Sequence, residues 1–327
     1  MNAFPVLSIL APETIPSRAR FDQHFVVRAK TRAGPVTTNK AMSFQNLEEL
    51  KRRLESVSIR RLKVDVHGMP DRTEDVRHCR MTSDQRGHYE EVMRGIMAEI
   101  EGDPDWARTL DIACVKLLRA RQVLNHPALL DLSGDSGKYL ALDDLVEEVL
   151  SNPAAKLVVW SSWNKAIDIL AERYREFRPI TIDQRTSQQD LVRWDKEFDL
   201  DDHRIAIASP ARGGTGIDFL SRARVAIYCE KTYSLVNHLQ STDRIVRRVP
   251  DDQPGDDDRV RWVRQIKRSS ATILYLHAPG SVDDIVDFVL KKKLDMGTAL
   301  LTSDERLIAD GRHDLIRMLR DRVSIAH

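Results

Sequence analysis

Apolar runs alternate with amphipathic stretches through the second half of the chain. The runs are short, rich in Val, Ile and Leu, and cover residues 156–160, 179–182, 204–208, 225–228 and 271–276. Between them, stretches near 164–177, 187–198 and 234–247 repeat their apolar residues with the period of an α-helix. Continuous apolar strands that alternate with helices are typical of a parallel sheet covered on both faces. The pattern therefore predicts an α/β fold from residue 138 onward.

The middle of the chain has a helical pattern. Apolar residues recur with helical spacing after Thr82 and Ser83, either of which can cap a first helix. A second helix is predicted from about residue 106 to residue 124. It ends before Pro127, because the residue that precedes a proline disfavours the helical conformation. Residues 67–130 are therefore predicted to be mostly helical.

The first 66 residues show a weaker pattern. An apolar stripe at residues 4–10 is followed by two phenylalanines, a turn at residues 34–35, and a helix near 46–54 with Asn46 as its N-cap. If the apolar side chains of this segment have no sheet to cover, they form an exposed patch, which marks a partner interface or an aggregation hazard. The side chains concerned are Phe4, Leu7, Leu10, Phe21 and Phe25.

Composition narrows the class of protein without indicating a ligand. The chain has 327 residues, 42% of them hydrophobic, which is enough for one or two domains with a substantial core. Lys and Arg (51) nearly balance Asp and Glu (50), so a DNA-binding surface would have to come from local clustering. Three widely spaced cysteines predict neither a zinc site nor a disulfide framework, and we expect an intracellular protein. No apolar run approaches the length of a membrane span.

An acidic stretch at residues 250–258 precedes a basic one at residues 259–268. The acidic part is predicted to be a loop. The basic part contains Arg259, Arg261, Arg264, Lys267 and Arg268, and it could contact a phosphate backbone. The alternative, which charge patterning alone favours, is a solvated helix face.

Residues 230–249 contain a candidate anion-binding group. Arg244 and Arg247 are three residues apart, and Gln240 lies four residues before Arg244, so a helix would place them on one face. A Gln and two Arg side chains suit a planar, multiply charged anion such as a triphosphate. The alternative is a surface helix with ordinary Arg–Asp pairs, which this helix considered alone favours.

A glycine-rich turn follows the predicted strand at residues 204–208. Gly213, Gly214 and Gly216 precede Asp218 there, and glycines allow the backbone N–H groups to approach a phosphate closely. A tight structural turn is the more common explanation for one such segment. The order strand, glycine-rich turn, strand and Gln/Arg helix strengthens the functional interpretation.

Eight segments, which follow one another along the chain as in the family, resemble the Swi/Snf form of superfamily two DNA helicases. The glycine-rich turn and the Gln/Arg helix look like motifs V and VI of that family. The other segments are Ile59-Arg-Arg-Leu-Lys-Val-Asp65, Met81-Thr-Ser-Asp-Gln85 with Tyr89, Leu118-Arg-Ala-Arg-Gln-Val-Leu-Asn-His-Pro127, Ser136-Gly-Lys138, Lys156-Leu-Val-Val-Trp-Ser-Ser-Trp163 and Gly280-Ser-Val-Asp-Asp-Ile285. The resemblance covers nearly the whole chain and implies the second motor lobe.

The resemblance implies a RecA-like parallel sheet sandwiched by helices and preceded by a helical hinge or protrusion. We expect the tail of a first RecA-like lobe at residues 1–66, the hinge or protrusion at 67–130, the second lobe at 131–298 and a C-terminal helical tail at 299–327. Several positions depart from the family pattern, which puts the DNA contacts and the nucleotide-side turn in doubt. They are Gln184, Leu191, Arg212, Tyr233, Ser234 and residues 248–250.

The resemblance also assigns roles to individual residues. It implies that Arg244 and Arg247 are arginine fingers for the γ-phosphate of ATP. The residues implied to bind ATP are Gln240, Gly214, Gly216 and Asp218. The residues implied to contact the phosphate backbone of duplex DNA are Ser161, Ser162, Ser209, Arg212 and Gly213. The three serines follow predicted strands, at the sheet edge that ligands favour in open α/β sheets. No metal ligand is expected in this chain.

The chain lacks the sequence signals of a first motor lobe. It has no D-E-x-H, and residues 134–139 lack the glycine spacing and the Ser/Thr of a P-loop. We therefore expect a chain that begins in mid-domain, either because a separate polypeptide supplies the first lobe or because the chain is a fragment. We expect it to be inactive alone and to use ATP and Mg²⁺ only when a first lobe completes the site. The predicted output is translocation along duplex DNA. The alternative is a non-enzymatic DNA-binding or adaptor module derived from such a motor.

Overall fold

The structure is a computed structural model. It describes residues 3–13, 15, 17–33, 36–59, 70–102, 117–198, 203–213, 216–247 and 257–302. The chain divides into two compact units: residues 1–62, 96–115 and 288–327 form the first, and residues 63–95 and 116–287 form the second. Most of the sequence segments singled out above belong to the second unit, which contains a six-stranded sheet.

All the paired strands of this sheet run parallel, in the order β3-β8-β7-β4-β6-β5. The bounds are β3 Arg72–His78, β4 Leu157–Trp160, β5 Ile180–Ile182, β6 Ile205–Ala208, β7 Val225–Tyr228 and β8 Ala271–His277. The five strands from β4 to β8 coincide with the apolar runs of the sequence. The predicted parallel sheet is therefore confirmed.

Alternate strand residues explain why the runs are continuously apolar. In β4, Val158 and Trp160 belong to one buried cluster, whereas Leu157 and Val159 belong to another. Because successive side chains of a strand point to opposite faces, both faces of the sheet are covered. A strand buried on both faces requires an apolar side chain at every position.

Helices supply the cover on each face. The helices α5 (Gly137–Leu150) and α6 (Asn164–Arg173) contribute to the cluster that contains Leu157. The helices α7 (Gln188–Glu197) and α8 (Leu235–Ile245) contribute to the cluster that contains Trp160. A capping box at Ser187 starts α7.

The edge strand β3 was not predicted from the sequence. Its seven residues are Arg-Thr-Glu-Asp-Val-Arg-His, and all seven are exposed. It pairs with β8 in parallel, from Arg72 opposite Ala271 to His78 opposite His277. A charged edge strand carries no apolar pattern, so hydrophobic periodicity cannot detect it. Part of the segment predicted to be mostly helical thus belongs to the sheet.

The remaining helices have the following bounds: α1 Ala3–Leu10, α2 Arg18–Phe25, α3 Leu47–Glu55, α4 Ser83–Gly102, α9 Asp258–Arg268 and α10 Val282–Thr302. Residues 117–125 are also helical. Thr82 caps α4, because its hydroxyl accepts a hydrogen bond from the backbone of Gln85 at 3.2 Å. Among the described residues, no helix is both long and apolar enough to cross a membrane.

The first unit has a small core of its own, so the prediction of an exposed apolar patch was mostly wrong. Leu7, Phe21 and Phe25 are buried with Leu47 and Leu50 of α3, and Phe4 packs against them. Of the five predicted patch residues, Leu10 is the exposed one, at 55%. The helices α1–α3 thus cover each other's apolar side chains. An antiparallel hairpin of β1 (Val26–Ala33) and β2 (Val36–Phe44) joins α2 to α3.

Asn46 precedes α3 but does not cap it. Its backbone is left-handed, with φ at 54°, and its side chain makes no capping hydrogen bond. The amide instead donates to the carbonyl of His24 at 2.8 Å. The predicted helix is therefore present, whereas the predicted N-cap is wrong.

Candidate functional site

A buried carboxylate organises the carboxyl edge of the sheet. Glu230 follows β7 and is 3% exposed. Its carboxylate accepts hydrogen bonds from the backbone N–H of Ser162 at 2.5 Å, the side chain of Asn125 at 2.5 Å and the hydroxyl of Ser161 at 3.3 Å. We call Asn125, Ser161, Ser162 and Glu230 the Glu230 network. It joins the helical segment 117–125 to the ends of β4 and β7.

The Glu230 network changes the interpretation of the two predicted DNA-binding serines that follow β4. Ser161 is fully buried, and its hydroxyl is directed at Glu230. The hydroxyl of Ser162 is also buried and has no hydrogen-bond partner among the described residues. In this arrangement Ser161 has a structural role, and the hydroxyls of both serines are buried beside Glu230.

Burial raises the pKa of Glu230 to about 7. The hydrogen bond from Ser162 and the charges of Arg121 and Lys138 oppose this shift but do not cancel it. Removing a carboxylate from water disfavours its charged form, and neutral donors compensate only partly. Glu230 therefore titrates close to neutral pH.

The segment after β6 forms a second part of the carboxyl edge. Ser209 is buried, and its hydroxyl accepts from the backbone of Arg212 at 3.2 Å. Gly213 packs against Trp160: an added Cβ would lie 2.6 Å from the indole ring. This contact is sufficient to explain the glycine at position 213, so no phosphate contact is needed to explain it. Arg212 is half-buried.

The glycine-rich turn is described only in part. Gly214 lies outside the described residues. Gly216 has φ at 71°, and an added Cβ would meet no atom within 4 Å. The backbone conformation, and not crowding, therefore favours glycine at 216. This positive φ fits a tight turn and leaves space beside it.

The predicted Gln/Arg face is only partly helical. Ser234 caps α8, Gln240 is exposed on it, and Arg244 lies in its last turn. The helix ends at Ile245, so Arg247 lies beyond it, and the prediction that both arginines share a helical face was wrong. The spacing argument failed because it assumed that the helix continues through residue 247. The two arginines are nevertheless near enough to interact, since partial burial and the charge of Arg247 lower the pKa of Arg244.

The end of α8 lies near the amino ends of two strands. Arg224, directly before β7, donates to the carbonyl of Ile245 at 3.0 Å. It also donates to the carbonyl of Ser269, shortly before β8. Arg247 is therefore at the end of the sheet opposite to the Glu230 network.

Asp218 connects Arg247 to the basic helix α9. One carboxylate oxygen pairs with Arg247, and the other accepts from the ammonium of Lys267 at 3.0 Å. We call Asp218, Arg247 and Lys267 the Asp218 cluster. Asp218 and Arg247, which were both predicted for the nucleotide site, thus meet Lys267, which was not.

Comparisons with known proteins support the resemblance seen in the sequence. The family model described as SNF2-related domain matches residues 2–129. The chain is 21% identical over 343 residues to the transcription regulatory protein SNF2 of Saccharomyces cerevisiae, a match that covers 97% of this chain and 19% of that protein. The resemblance to the Swi/Snf family is confirmed. The chain spans about a fifth of the length of the curated relatives it matches.

Solved Swi/Snf structures share the fold. The Sulfolobus solfataricus SWI2/SNF2 ATPase core in complex with dsDNA matches with a TM-score of 0.57 at 19% identity, covering 83% of this chain and 55% of that one. The C-terminal part of the Fun30 ATPase domain matches with a TM-score of 0.54 at 15% identity, covering 79% of this chain and 98% of that one. The predicted RecA-like fold is therefore confirmed.

Several of the segments that resemble Swi/Snf proteins hold the second unit together. The side chain of Gln85 donates to the carbonyls of Val123 and Leu124 at 2.9 and 3.0 Å, and it accepts from the backbone of Gly137 at 3.0 Å. The hydroxyl of Tyr89 accepts from the backbone of Val282 at 2.8 Å. These contacts link four of the quoted segments. The polar side chains of Gln85 and Tyr89 thus have a structural role, because they hold these segments together by hydrogen bonds.

A buried ion pair joins two of these four segments. Lys138 is 2% exposed, and its ammonium lies 2.7 Å from the carboxylate of Asp283. The same ammonium donates to the carbonyl of Cys229 at 3.0 Å. The backbone of Ala278 donates to Asp283, so both charges are hydrogen-bonded beyond the pair.

Sequence reasoning missed Glu230 and Lys267 as parts of these sites. Glu230 lies directly after an apolar strand, where a carboxylate is expected at the ligand edge, and this signal could have identified it. Lys267 was identified only as one of five basic residues that either contact a phosphate backbone or form a solvated helix face. No local pattern distinguishes it, because its contact with Asp218 joins positions 49 residues apart.

Proposed function

We propose that this chain is the second motor lobe of an ATP-dependent DNA translocase of the Swi/Snf type. A first lobe that carries a P-loop and a D-E-x-H segment would complete the nucleotide site. Arg244 and Arg247 act on the γ-phosphate of ATP bound between the lobes. The observation that carries the proposal is the convergence of cationic side chains at the end of α8, within a fold shared with Swi/Snf ATPases.

The residues at the end of α8 fit a polyphosphate. Arg244, Arg247 and Lys267 bring three positive charges around the single carboxylate of Asp218. Guanidinium groups suit phosphate oxygens because they donate hydrogen bonds in a planar fork. Gln240, which is exposed one turn before Arg244, and the open backbone at Gly216 are further candidate contacts.

Each finger residue would stabilise charge that develops during phosphoryl transfer. ATP with Mg²⁺ supplies the transferable phosphoryl group and its charge neutralisation, and the proposal assigns the Mg²⁺ ligands to the first lobe. Arg244 and Arg247 supply positive charge to the phosphoryl oxygens. The role of an arginine finger is worth about 10³- to 10⁵-fold in kcat in other phosphoryl-transfer systems.

The opposite end of the sheet is the proposed DNA side. Arg212, a half-buried cation that follows β6 at this edge, is the candidate for a phosphate contact there. Ser161, Ser209 and Gly213 would shape this edge through the contacts described above. Contacts to phosphates alone give binding that is independent of sequence and weakens as salt rises.

Complementation tests this function. DNA-stimulated ATPase activity is measured for three samples: this chain alone, a first-lobe polypeptide alone, and the mixture of the two. We expect hydrolysis only in the mixture and stimulation by random-sequence duplex DNA. Duplex binding by the chain should weaken with increasing salt, and Arg212→Ala should reduce the salt dependence by about one phosphate contact.

Two outcomes contradict the proposal. Hydrolysis by this chain alone would show that its nucleotide site is complete. Absence of hydrolysis in every mixture, with salt-sensitive DNA binding retained, would favour a non-enzymatic DNA-binding or adaptor module.

A further inference from the structure

The Asp218 cluster holds a proposed finger in a contact that a nucleotide would have to replace. Arg247 pairs with one oxygen of Asp218 and Lys267 with the other. A guanidinium that is bound to a carboxylate has fewer N–H groups for a phosphate. The cluster therefore affects how readily Arg247 becomes available.

The exposure of the three side chains shows which contact is exchangeable. The side chains of Asp218 and Arg247 are 63% and 40% exposed, whereas that of Lys267 is 16% exposed. Exposed ion pairs contribute little to stability, because water and salt screen them. Arg247 can thus leave Asp218 at low cost, while the less exposed Lys267 stays in place.

We propose that Asp218 and Lys267 form an exchange device for Arg247: Asp218 retains the finger when no triphosphate is bound, and Lys267 remains on Asp218 when the finger moves to a phosphate. This inference rests on the proposed role of Arg247. It makes Asp218 and Lys267 positioning residues and removes Asp218 from the nucleotide ligands predicted from the sequence.

Charge balance explains why Lys267 matters. Without Lys267, the departure of Arg247 would leave the carboxylate of Asp218 with no cationic partner in the cluster. The carboxylate would then repel the incoming anion, since both are negatively charged. With Lys267, the carboxylate keeps one hydrogen-bonded cation throughout. No proton or bond changes hands in the exchange, since only the partner of Arg247 changes.

The protonation of Asp218 agrees with this arrangement. Partial burial acts to raise the pKa of Asp218, but the hydrogen bond from Lys267 and the charges of Lys267, Arg247 and Arg222 outweigh it and lower the pKa. The contribution of Lys267 is larger than that of Arg247. Asp218 therefore stays charged at neutral pH.

A double-mutant cycle with inorganic triphosphate as the probe tests the exchange on this chain alone. Affinity is measured by calorimetry for the natural chain, Asp218→Asn, Lys267→Met and the double variant, at about 0.15 M ionic strength, where screening limits long-range attraction. Asp218→Asn should bind roughly threefold to fivefold more tightly, because Arg247 is no longer retained. Lys267→Met should bind more weakly by a similar factor.

The double variant separates exchange from direct contact. If Lys267 acts through Asp218, Lys267→Met has less than about a twofold effect in the Asp218→Asn background. An equal loss in both backgrounds would mean that Lys267 binds the phosphate itself, and this result would overturn the proposal. Absence of binding in all four proteins, or weaker binding by Asp218→Asn, would overturn it as well.

The exchange and the proposed motor function can fail separately. NMR of the Arg247 Nε–Hε signal should show a shift on Asp218→Asn without ligand and a second shift when triphosphate binds the natural chain. A normal exchange cycle without complementation by any first lobe would contradict the motor and leave the exchange standing. Complementation by a first lobe, with no coupling between Asp218 and Lys267 in the cycle, would support the motor and contradict the exchange.

Discussion

The two ends of the sheet use charged residues in opposite ways. At the carboxyl edge, Glu230 is buried and accepts hydrogen bonds from three neighbours. At the opposite end, Asp218 is exposed and shared between two cations. The first carboxylate is held by neutral donors and the second by two cations, of which Arg247 is the more exposed, so the first is suited to positioning and the second to exchange.

This difference shows that membership of a family segment does not by itself indicate chemistry. Residues such as Gln85 and Lys138 belong to recognisable Swi/Snf segments, yet their side chains are buried and bonded within the second unit. The Asp218 cluster includes Lys267, which belongs to none of the quoted segments. Burial and partner chemistry distinguish the two groups, and each of the following variants tests that distinction.

The largest expected effect on stability comes from the buried pair. Lys138→Met removes one partner and leaves Asp283 buried without its cation, so we expect a loss of about 3–5 kcal/mol in the free energy of unfolding. Denaturant unfolding measures it. The matched control is Lys165→Met, whose pair with Asp131 is exposed, and it should change stability little. Equal losses in the two variants would refute the contrast between buried and exposed charges.

Gly137→Ala should have the next largest effect. The new Cβ would lie 1.7 Å from the backbone carbonyl oxygen of Arg80, so the backbone must move, at a cost of about 3 kcal/mol. Gly87→Ala is the control, because Gly87 lies in α4 with no atom within 4 Å of the added Cβ. It should raise stability by about 0.5–1 kcal/mol. Thermal unfolding of both variants decides whether crowding selects the glycine at 137.

Glu230 should give the chain a characteristic pH dependence. Its folded pKa of about 7 exceeds that of an unfolded-state Glu, about 4.3, so the folded chain binds one more proton between these values. Stability from this group therefore falls as pH rises through that window, by at most about 1.4 kcal/mol per pH unit, and levels off above pH 7.

Glu230→Gln should remove that slope. Stability curves at several pH values compare it with the natural chain, and Glu147→Gln on the exposed side of α5 serves as the control. An identical pH dependence in all three proteins would show that Glu230 is charged throughout and would remove its distinction from Asp218.

The smallest effect on stability is expected at the exposed end. Asp218→Asn should change the free energy of unfolding by less than about 1 kcal/mol, since it breaks screened contacts only. Chemical denaturation at neutral pH is the measurement. A loss as large as that of Lys138→Met would mean that the Asp218 cluster is structural and unsuited to exchange.

The parallel sheet of the second unit was predictable because the pattern of apolar residues along the chain indicates its buried strands. The runs at 156–160, 204–208 and 225–228 are continuously apolar since both faces of β4, β6 and β7 are covered. The charged strand β3 gave no such signal, because its side chains are exposed. The core of the first unit was missed for another reason: α1, α2 and α3 bury one another's short apolar stripes, which a sequence pattern does not pair.

The site was predictable only in part. The positions of Arg244 and Asp218 follow from family segments, but the end of α8 at Ile245 and the pairing of Arg247 with Asp218 depend on tertiary contacts. The same limit applies to Ser161, whose burial against Glu230 joins positions 69 residues apart. The order of the segments along the chain predicts which side chains are candidates for the site, whereas tertiary packing decides which of those side chains are exposed to solvent.

The central claim, that this chain supplies arginine fingers, is tested most directly by the ATPase of the complemented mixture with Arg244→Ala and Arg247→Ala. Each variant should lower kcat by about 10³-fold or more, with a smaller change in KM for ATP. Arg175→Ala, at a side chain 78% exposed in a 3₁₀ turn, is the control and should retain full activity. A loss of less than about tenfold in both finger variants, in a mixture that hydrolyses ATP, would contradict the account.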